Sequence, residues 1–99
     1  MAAQRAHSED STFRALADPV RREILSFVGS QELPTAGEIA AHFPDIGRTA
    51  VSSHLRILRD ATLLAEVRDG QRRRYQLGPN RADAAIDFLR QIYAPDFEA

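Results

Sequence analysis

Hydrophobic residues recur at helical spacing through most of the chain. Val51, Leu55 and Leu58 fall at i, i+4 and i+7, so they form the buried stripe of a helix over about residues 48–60. The same periodicity predicts four further helices, over about residues 9–17, 19–29, 36–43 and 81–94. Most of this chain of 99 residues is therefore expected to be helical.

Residues with capping chemistry mark where several of these helices begin. Asp18 precedes Pro19, and this pair suits an N-cap followed by the first helical position. Thr35 and Glu38 have the spacing of a capping box, in which each side chain bonds to the backbone N–H of the other residue. Asn80 is expected to cap the last helix. The helices are thus predicted to be separate elements.

Residues 63–77 predict a β-hairpin around Asp69-Gly70. A two-residue loop there would pair Val67 with Arg72 and place Tyr75 on the opposite face from Val67. A loop of odd length would gather five apolar or aromatic side chains on one face: Leu63, Ala65, Val67, Tyr75 and Leu77. Because burial favours the second register, we predict an outer face that carries Glu66, Arg68, Arg72 and Arg74.

Positive charge is concentrated in one third of a chain whose net charge is −1. Residues 48–74 contain seven arginines and three acidic residues, giving +4, whereas residues 1–47 carry −3 and residues 75–99 carry −2. All 13 basic residues are arginine. Because clustered positive charge, more than net charge, attracts the phosphate backbone, residues 48–74 are a candidate nucleic-acid surface.

The order of the predicted elements gives this basic segment a structural context. A short helix, a turn and a helix with an exposed polar face form a helix-turn-helix over about residues 36–60, and the hairpin over about residues 63–77 forms a wing. We therefore predict a mainly α fold with a small β-hairpin, a dimeric winged helix-turn-helix of order α-α-α-α-β-β-α, with residues 1–99 as one domain. The candidate DNA-binding residues lie on its recognition helix and wing: Arg48, Thr49, Ser52, Ser53, His54, Arg56, Arg68, Arg72, Arg73 and Arg74.

Four segments resemble the ArsR/SmtB family of bacterial winged-helix repressors: FRALADPVRREILSFV, EIAAHF, AVSSHLRILRDATLL and VRDGQRRRYQL. The resemblance covers residues 12–77 in order and spacing. It implies a homodimer that pairs the first and last helices and presents both recognition helices to a near-palindromic operator. It also implies repression that is relieved when an inducer binds. The expected dimer interface consists of Phe13, Leu16, Ile86, Leu89, Ile92 and Tyr93.

The sequence departs from this family at several positions. Thr35 and Gly37 stand where metal-sensing members carry two cysteines, and the chain contains no cysteine. Gly47 and Arg48 replace a more usual Ser-Gln pair at the start of the recognition helix. Thr62 replaces the glycine that commonly follows this helix, so we expect a less tight turn into the wing.

A second common metal site of the family, built from Asp and His on the last helix, is not recognisable either. Asp83 and Asp87 lie there, but no histidine follows His54, and we expect both carboxylates to be solvated or paired with arginine. His7 and Asp10 remain as candidate ligands of a nitrogen–oxygen site, which would suit nickel, cobalt or zinc.

Two other histidines have competing interpretations. His54 lies beside the apolar stripe, where it either holds the helix to its neighbours or contacts DNA, and the sequence does not choose between these roles. His42 ends the short helix, where we expect its side chain to complement the exposed carbonyl groups. Several aromatic and aliphatic residues are expected in the core: Phe13, Leu16, Ile24, Phe27, Phe43, Leu55, Leu58 and Tyr75.

The leading hypothesis is a dimeric transcriptional repressor that binds an operator in double-stranded DNA. The alternatives are a winged-helix module whose basic face docks an acidic protein, and a ligand-independent regulator controlled by a co-regulator protein. Catalysis is not expected, because the chain lacks a recognisable catalytic constellation and is too short to offer a large cleft. No apolar run approaches the ~20 residues that span a bilayer, and no signal peptide is recognisable, so we expect a cytoplasmic protein without membrane contact.

Overall fold

The fold is a bundle of helices with one antiparallel hairpin, seen in a computed structural model that describes residues 10–80 and 82–94. Helix α1 covers residues 10–16. The remaining elements are α2 (Pro19–Ser30), α3 (Ala36–Ala41), α4 (Arg48–Asp60), β1 (Leu64–Asp69), β2 (Arg72–Leu77) and α5 (Asp83–Tyr93). This order is the winged helix-turn-helix that the sequence predicts.

Two of the three predicted capping arrangements are confirmed. The Asp18 carboxylate accepts hydrogen bonds from the N–H groups of Val20 (2.8 Å) and Arg21 (3.4 Å) at the start of α2. Thr35 and Glu38 form the predicted capping box of α3, with bonds of 2.8 and 3.1 Å. These local sequence signals therefore fix where the two helices begin.

The prediction that Asn80 caps α5 is wrong. Helix α5 begins after Ala82, which has a left-handed backbone (φ 60°) and makes no side-chain cap. The Asn80 amide instead donates to Thr12 Oγ1 (3.0 Å) in α1 and to the carbonyl of Ala61 (2.8 Å) after α4. Because Thr12 is fully buried, its hydroxyl needs a polar partner, and Asn80 supplies it.

The hydrophobic core lies between α2, α3, α4 and the hairpin. Val51, Leu55 and Leu58 are all buried, which confirms the apolar stripe predicted for α4. Ile24 of α2 and Ile39 of α3 are fully buried against the same core. With its apolar stripe buried here, α4 turns its other sides outward.

The predicted hairpin register is also wrong. A two-residue loop at Gly70-Gln71 pairs Asp69 with Arg72, and Glu66 therefore lies opposite Tyr75. Gly70 supports this loop because its φ of 64° is the left-handed value that a type II′ turn needs at its first central position. Tyr75 therefore shares a sheet face with Leu64 and Glu66, and not with Val67.

Burial explains why this register is adopted. Leu64 and Tyr75 are buried, and the Tyr75 hydroxyl donates to Glu66 Oε2 at 3.3 Å. The other side of β2 is joined by the segment before α3, since the Tyr75 N–H donates to the carbonyl of Pro34 (2.9 Å) and Thr35 pairs with Arg74. Both β2 edges are therefore hydrogen-bonded, which a pattern of alternating residues does not reveal.

The turn from α4 into the wing is tight despite the threonine at its centre. Thr62 adopts a left-handed φ of 59°. Its N–H donates to the carbonyl of Arg59 (2.9 Å), and the Leu63 N–H donates to the carbonyl of Leu58 (2.9 Å). This pair of bonds is the Schellman ending of a helix, in which glycine is favoured at the left-handed position. The expectation of a looser turn is therefore wrong.

Arg21 joins three helices. Its guanidinium donates to the carbonyls of Arg14 (3.0 Å) and Ala15 (2.7 Å) at the end of α1. The same group lies 3.2 Å from Nδ1 of His54 on α4. Arg22 adds a bond to the carbonyl of Leu16, at 2.6 Å, so arginines of α2 satisfy the last carbonyls of α1.

Candidate nucleic-acid interface

The outward side of α4 carries small polar residues and arginines. Arg48, Thr49, Ser52, Ser53 and Arg56 are all exposed. Their exposure follows from the packing of α4, because the apolar stripe at Val51, Leu55 and Leu58 is directed into the core. Short hydroxyl side chains leave the backbone of α4 accessible to close approach by another surface.

His54 lies apart from that exposed side. Its ring is half-buried, and Nδ1 lies 3.2 Å from the guanidinium of Arg21. The structure therefore supports the packing alternative for His54, in which the ring holds α4 to α2.

The hairpin contributes a second group of arginines, and they are not equivalent. Arg68, Arg72 and Arg73 are exposed. Arg74 instead donates to Asp69 Oδ2 (2.8 Å) and to the carbonyl of Leu33 (2.8 Å), and its side chain is only 25% exposed. The prediction that Arg74 lies on an outer face with Arg68 is therefore wrong, because Arg74 ties the hairpin to the segment before α3.

We call the exposed arginine, serine and threonine residues of these two elements the basic face: Arg48, Thr49, Ser52, Ser53, Arg56, Arg68, Arg72 and Arg73. It combines one helix with a two-stranded ribbon, and each of these fits the major groove of B-DNA. The face carries five guanidinium groups, while Asp60 and Asp69 are exposed on the same two elements.

A partly buried contact between α4 and the wing was not foreseen from the sequence. Arg59 Nη1 lies 2.9 Å from Glu66 Oε2, and the same carboxylate oxygen accepts from the Tyr75 hydroxyl. Burial, then the nearby Glu66 carboxylate, raises the pKa of Tyr75, so the hydroxyl keeps the proton that it donates. No local pattern reveals this contact, because it depends on the tight turn at Thr62.

A different surface, formed by α1 and α5, is apolar. The rings of Phe13 and Phe88 meet edge to face with centroids 5.7 Å apart, yet both rings remain more than one third exposed. Ile92 and Tyr93 are 54% and 56% exposed. We call these four residues the apolar face. Leu16, Ile86 and Leu89 are half-buried behind it. The expectation that Phe13 belongs to the core is therefore wrong.

His42 takes part in an aromatic stack. Its ring lies 4.3 Å from the ring of Phe27 and 5.0 Å from that of Phe43, measured between centroids. The expected capping role of the His42 side chain is therefore replaced by stacking, although its backbone N–H donates to the carbonyl of Ile39 at the end of α3.

The metal candidates receive no support from neighbouring ligands. His7 lies outside the described residues, and Asp10 is exposed. Within residues 10–80 and 82–94, no group of three or more His, Cys, Asp or Glu side chains is arranged to hold a metal ion. In that same part of the chain, no helix has the length and apolar character needed to cross a membrane.

Comparison with known proteins identifies the family to which the chain belongs. A family of helix-turn-helix domains matches residues 16–67, which is more than half of the chain. The transcriptional repressor SdpR of Bacillus subtilis is 35% identical over 80 residues, covering 81% of this chain and 87% of that protein. The chain belongs to the ArsR/SmtB family of winged helix-turn-helix transcriptional regulators.

Two further similarities agree with this membership. A probable mercury resistance operon repressor of Streptomyces lividans is 36% identical over 87 residues, covering 88% of this chain and 68% of that protein. The structure of an ArsR-like transcriptional regulator from Rhodococcus sp. RHA1 superposes with a TM-score of 0.79 at 28% identity, covering 93% of this chain and 83% of that chain. This ArsR-family protein is therefore a DNA-binding regulator of transcription and not an enzyme.

Proposed function

We propose that this ArsR-family protein is a homodimeric repressor whose basic face binds a near-palindromic operator and blocks transcription. The observation that carries the proposal is the exposure of the polar side of α4 together with Arg72 and Arg73 of the wing. A helix in one major groove and a ribbon at the adjoining backbone or groove use the charge that the sequence concentrates there. Since the protein acts on promoter DNA, we assign it to the bacterial cytoplasm.

Dimer formation is supported by the apolar face. Phe13, Phe88, Ile92 and Tyr93 leave large apolar groups in water, and a second copy of the same surface would bury them symmetrically. The proposed interface contains the predicted residues of α1 and α5: Phe13, Leu16, Ile86, Leu89, Ile92 and Tyr93. A two-fold axis through it would give the operator its near-palindromic symmetry.

DNA binding is tested by titrating the purified protein into labelled duplexes at several salt concentrations. A duplex selected from a random pool should bind more tightly than random duplex, and its affinity should fall steeply with salt because arginines displace counterions. Equal affinity for all sequences, or affinity independent of salt, would contradict the proposal. Absence of binding to any duplex would favour the alternative in which the basic face docks an acidic protein partner.

We further propose that an effector releases the repressor from DNA. The chain has no cysteine, so a metal effector would need nitrogen and oxygen ligands, for which His7 and Asp10 are the candidates. Nickel, cobalt and zinc are the metals to titrate, with binding heat and operator release followed in parallel. Release by one of them that is lost in His7→Ala supports a metal effector. The absence of heat and release for all three would leave control to an organic ligand or a co-regulator protein.

A further inference from the structure

A small hollow lies between α4 and β2. Its volume is about 200 Å³, and its lining includes Ser52, Leu55, Arg56, Arg59, Arg73 and Tyr75. Small-molecule sites usually enclose roughly 300–1,000 Å³ and are mostly apolar, so this hollow is small and unusually rich in guanidinium groups for such a site. Its size and charge suit a single oxyanion instead.

The three arginines of the hollow differ in their partners. Arg59 is paired with Glu66 at 2.9 Å, and the Glu66 side chain is only 20% exposed. Arg56 and Arg73 are exposed, and within residues 10–80 and 82–94 neither forms an ion pair. The hollow therefore contains two guanidinium groups that are available to an anion and one that is already neutralised.

The position of the hollow indicates which anion arrives there. When a recognition helix lies in the major groove and a wing reaches the adjacent groove, the sugar–phosphate backbone that separates the two grooves passes between them. The hollow has α4 on one side and β2 on the other. A backbone phosphate is therefore the oxyanion that DNA binding brings to this place.

We propose that Arg56 and Arg73 together hold one backbone phosphate of bound DNA in this hollow, while Glu66 keeps Arg59 out of the contact and ties α4 to the wing. This inference rests on the proposed DNA-binding function and names one contact within it. Glu66 is a positioning residue in this arrangement, because it acts on DNA only through Arg59 and Tyr75.

The phosphate contact is tested with duplexes in which one phosphate at a time is replaced by an uncharged methylphosphonate. The wild-type protein should lose affinity at one position in each half-site. The variant that carries both Arg56→Gln and Arg73→Gln should lower the salt slope of log K by about 1 and should not respond to the methylphosphonate at that position, and each single variant should respond less than the wild type. Arg68→Gln is the matched control, and it should keep the wild-type response to the methylphosphonate at that position. Arg68 is exposed on the same hairpin outside this lining.

A double-mutant cycle adds a second readout. Arg56→Gln and Arg73→Gln should be coupled in DNA affinity because both contact one phosphate, whereas Arg56→Gln and Arg68→Gln should be additive. If no phosphate position couples to Arg56 and Arg73, while inorganic phosphate at constant ionic strength competes with DNA in a manner that depends on Arg73, the hollow is a free-anion site and the proposal is wrong. If no duplex binds the wild-type protein, the proposed function itself fails.

The proposed role of Glu66 predicts tighter DNA binding when its charge is removed, whereas a purely structural role predicts weaker binding. Glu66→Gln keeps an acceptor for Tyr75 but frees the charge of Arg59, so we expect the salt slope of log K to steepen by up to about 1 and binding at low salt to tighten. Weaker binding with an unchanged slope would overturn this assignment. Arg59→Gln should leave the salt slope unchanged, whether or not Glu66→Gln lowers the melting temperature. A reduced slope for Arg59→Gln would overturn the assignment of Glu66 as well.

Discussion

The basic face and the apolar face are both exposed, but water solvates them very differently. The basic face carries arginines and hydroxyl groups that water solvates well, whereas the apolar face leaves Ile92 and Tyr93 more than half exposed. The first surface therefore gains most from a charged partner, and the second gains from any burial of its area. The chemistry of each surface thus indicates a different partner: DNA for one and a second copy for the other.

The largest expected effect comes from placing a charge on the apolar face. Ile92→Asp should raise the dimer dissociation constant by roughly 100-fold or more, because a symmetric interface contains the lost side chain twice and each buried isoleucine contributes about 1.5–3 kcal/mol. The sedimentation coefficient and the operator affinity should fall together. Gln91→Asp is the control, since it adds the same charge at the neighbouring exposed position. A variant Ile92→Asp that stays dimeric would contradict the proposed interface.

The next effect separates two roles within the basic face. Arg72→Ala should weaken binding to every duplex alike and reduce the salt slope by about 1, as expected for a phosphate contact. Arg48→Ala, at the first turn of α4, should instead change base preference by about 1–3 kcal/mol at one position of the site. Competition between a selected duplex and random duplex, repeated at several salt concentrations, measures both effects. Uniform loss from both substitutions would contradict the division between helix and wing.

A smaller effect concerns the start of α2, where Arg21 joins α1 to α4. Partial burial raises the pKa of Asp18, but this is outweighed by hydrogen bonds from the N–H groups of Val20 and Arg21 and by nearby His54 and Arg21, which together hold the pKa below its ordinary value. The stabilising contribution is therefore complete above the ordinary pKa of the carboxyl and is lost as the pH falls through the lowered value in the folded protein.

The test compares two substitutions at Asp18. Asp18→Ala should cost about 0.5–2 kcal/mol of unfolding free energy at neutral pH, because it removes the cap. Asp18→Asn keeps an acceptor but cannot ionise in this range, so its stability should fall less steeply than that of the wild type on acidification. Denaturant unfolding across the acidic range measures this difference. Identical acid profiles for Asp18→Asn and the wild type would show that Asp18 does not contribute.

The smallest effect lies in the turn between α4 and the wing. A left-handed backbone costs most residues about 1–2 kcal/mol, so Thr62→Gly should increase the unfolding free energy by up to about 1 kcal/mol, reduced by the added freedom of glycine in the unfolded chain. Thr62→Ala, which keeps a Cβ, should not stabilise. Dimerisation and DNA affinity should remain unchanged in both variants. A Thr62→Gly protein that is less stable than the wild type would show that the hydrogen bond from Thr62 Oγ1 to the carbonyl of Ala61 outweighs the backbone cost.

The sequence predicts the elements of this fold better than the contacts between them. Asp18 and Thr35 mark helix starts through bonds to residues two or three positions away, and such local chemistry is visible in the sequence. The apolar stripe of α4 is equally readable, because helical periodicity alone determines it. The element order predicted the recognition helix and the wing, and the family followed from the resemblance of four sequence segments.

The errors occur where a distant segment decides the outcome. The hairpin register depends on Pro34 and Thr35, which lie 41 and 39 residues before their partners Tyr75 and Arg74 in β2. The side-chain amide of Asn80 donates to Thr12 and to the carbonyl of Ala61, and Arg74 donates to the carbonyl of Leu33. Each of these polar groups has several chemically acceptable partners, so only the folded chain selects one.

The two ends of the hairpin are joined at its base. The Gly78 N–H donates to the carbonyl of Leu63 at 2.8 Å. A Cβ at Gly78 would lie 2.2 Å from the carbonyl oxygen of Thr62, so only glycine fits where the chain leaves β2 and returns to the helices. The two strands of the hairpin are therefore held together where they leave the helices. Pairs of residues added at Gly70-Gln71 would lengthen the hairpin while keeping its alternation of faces. The reach of the wing is thus a property that evolution can adjust without rebuilding the helices.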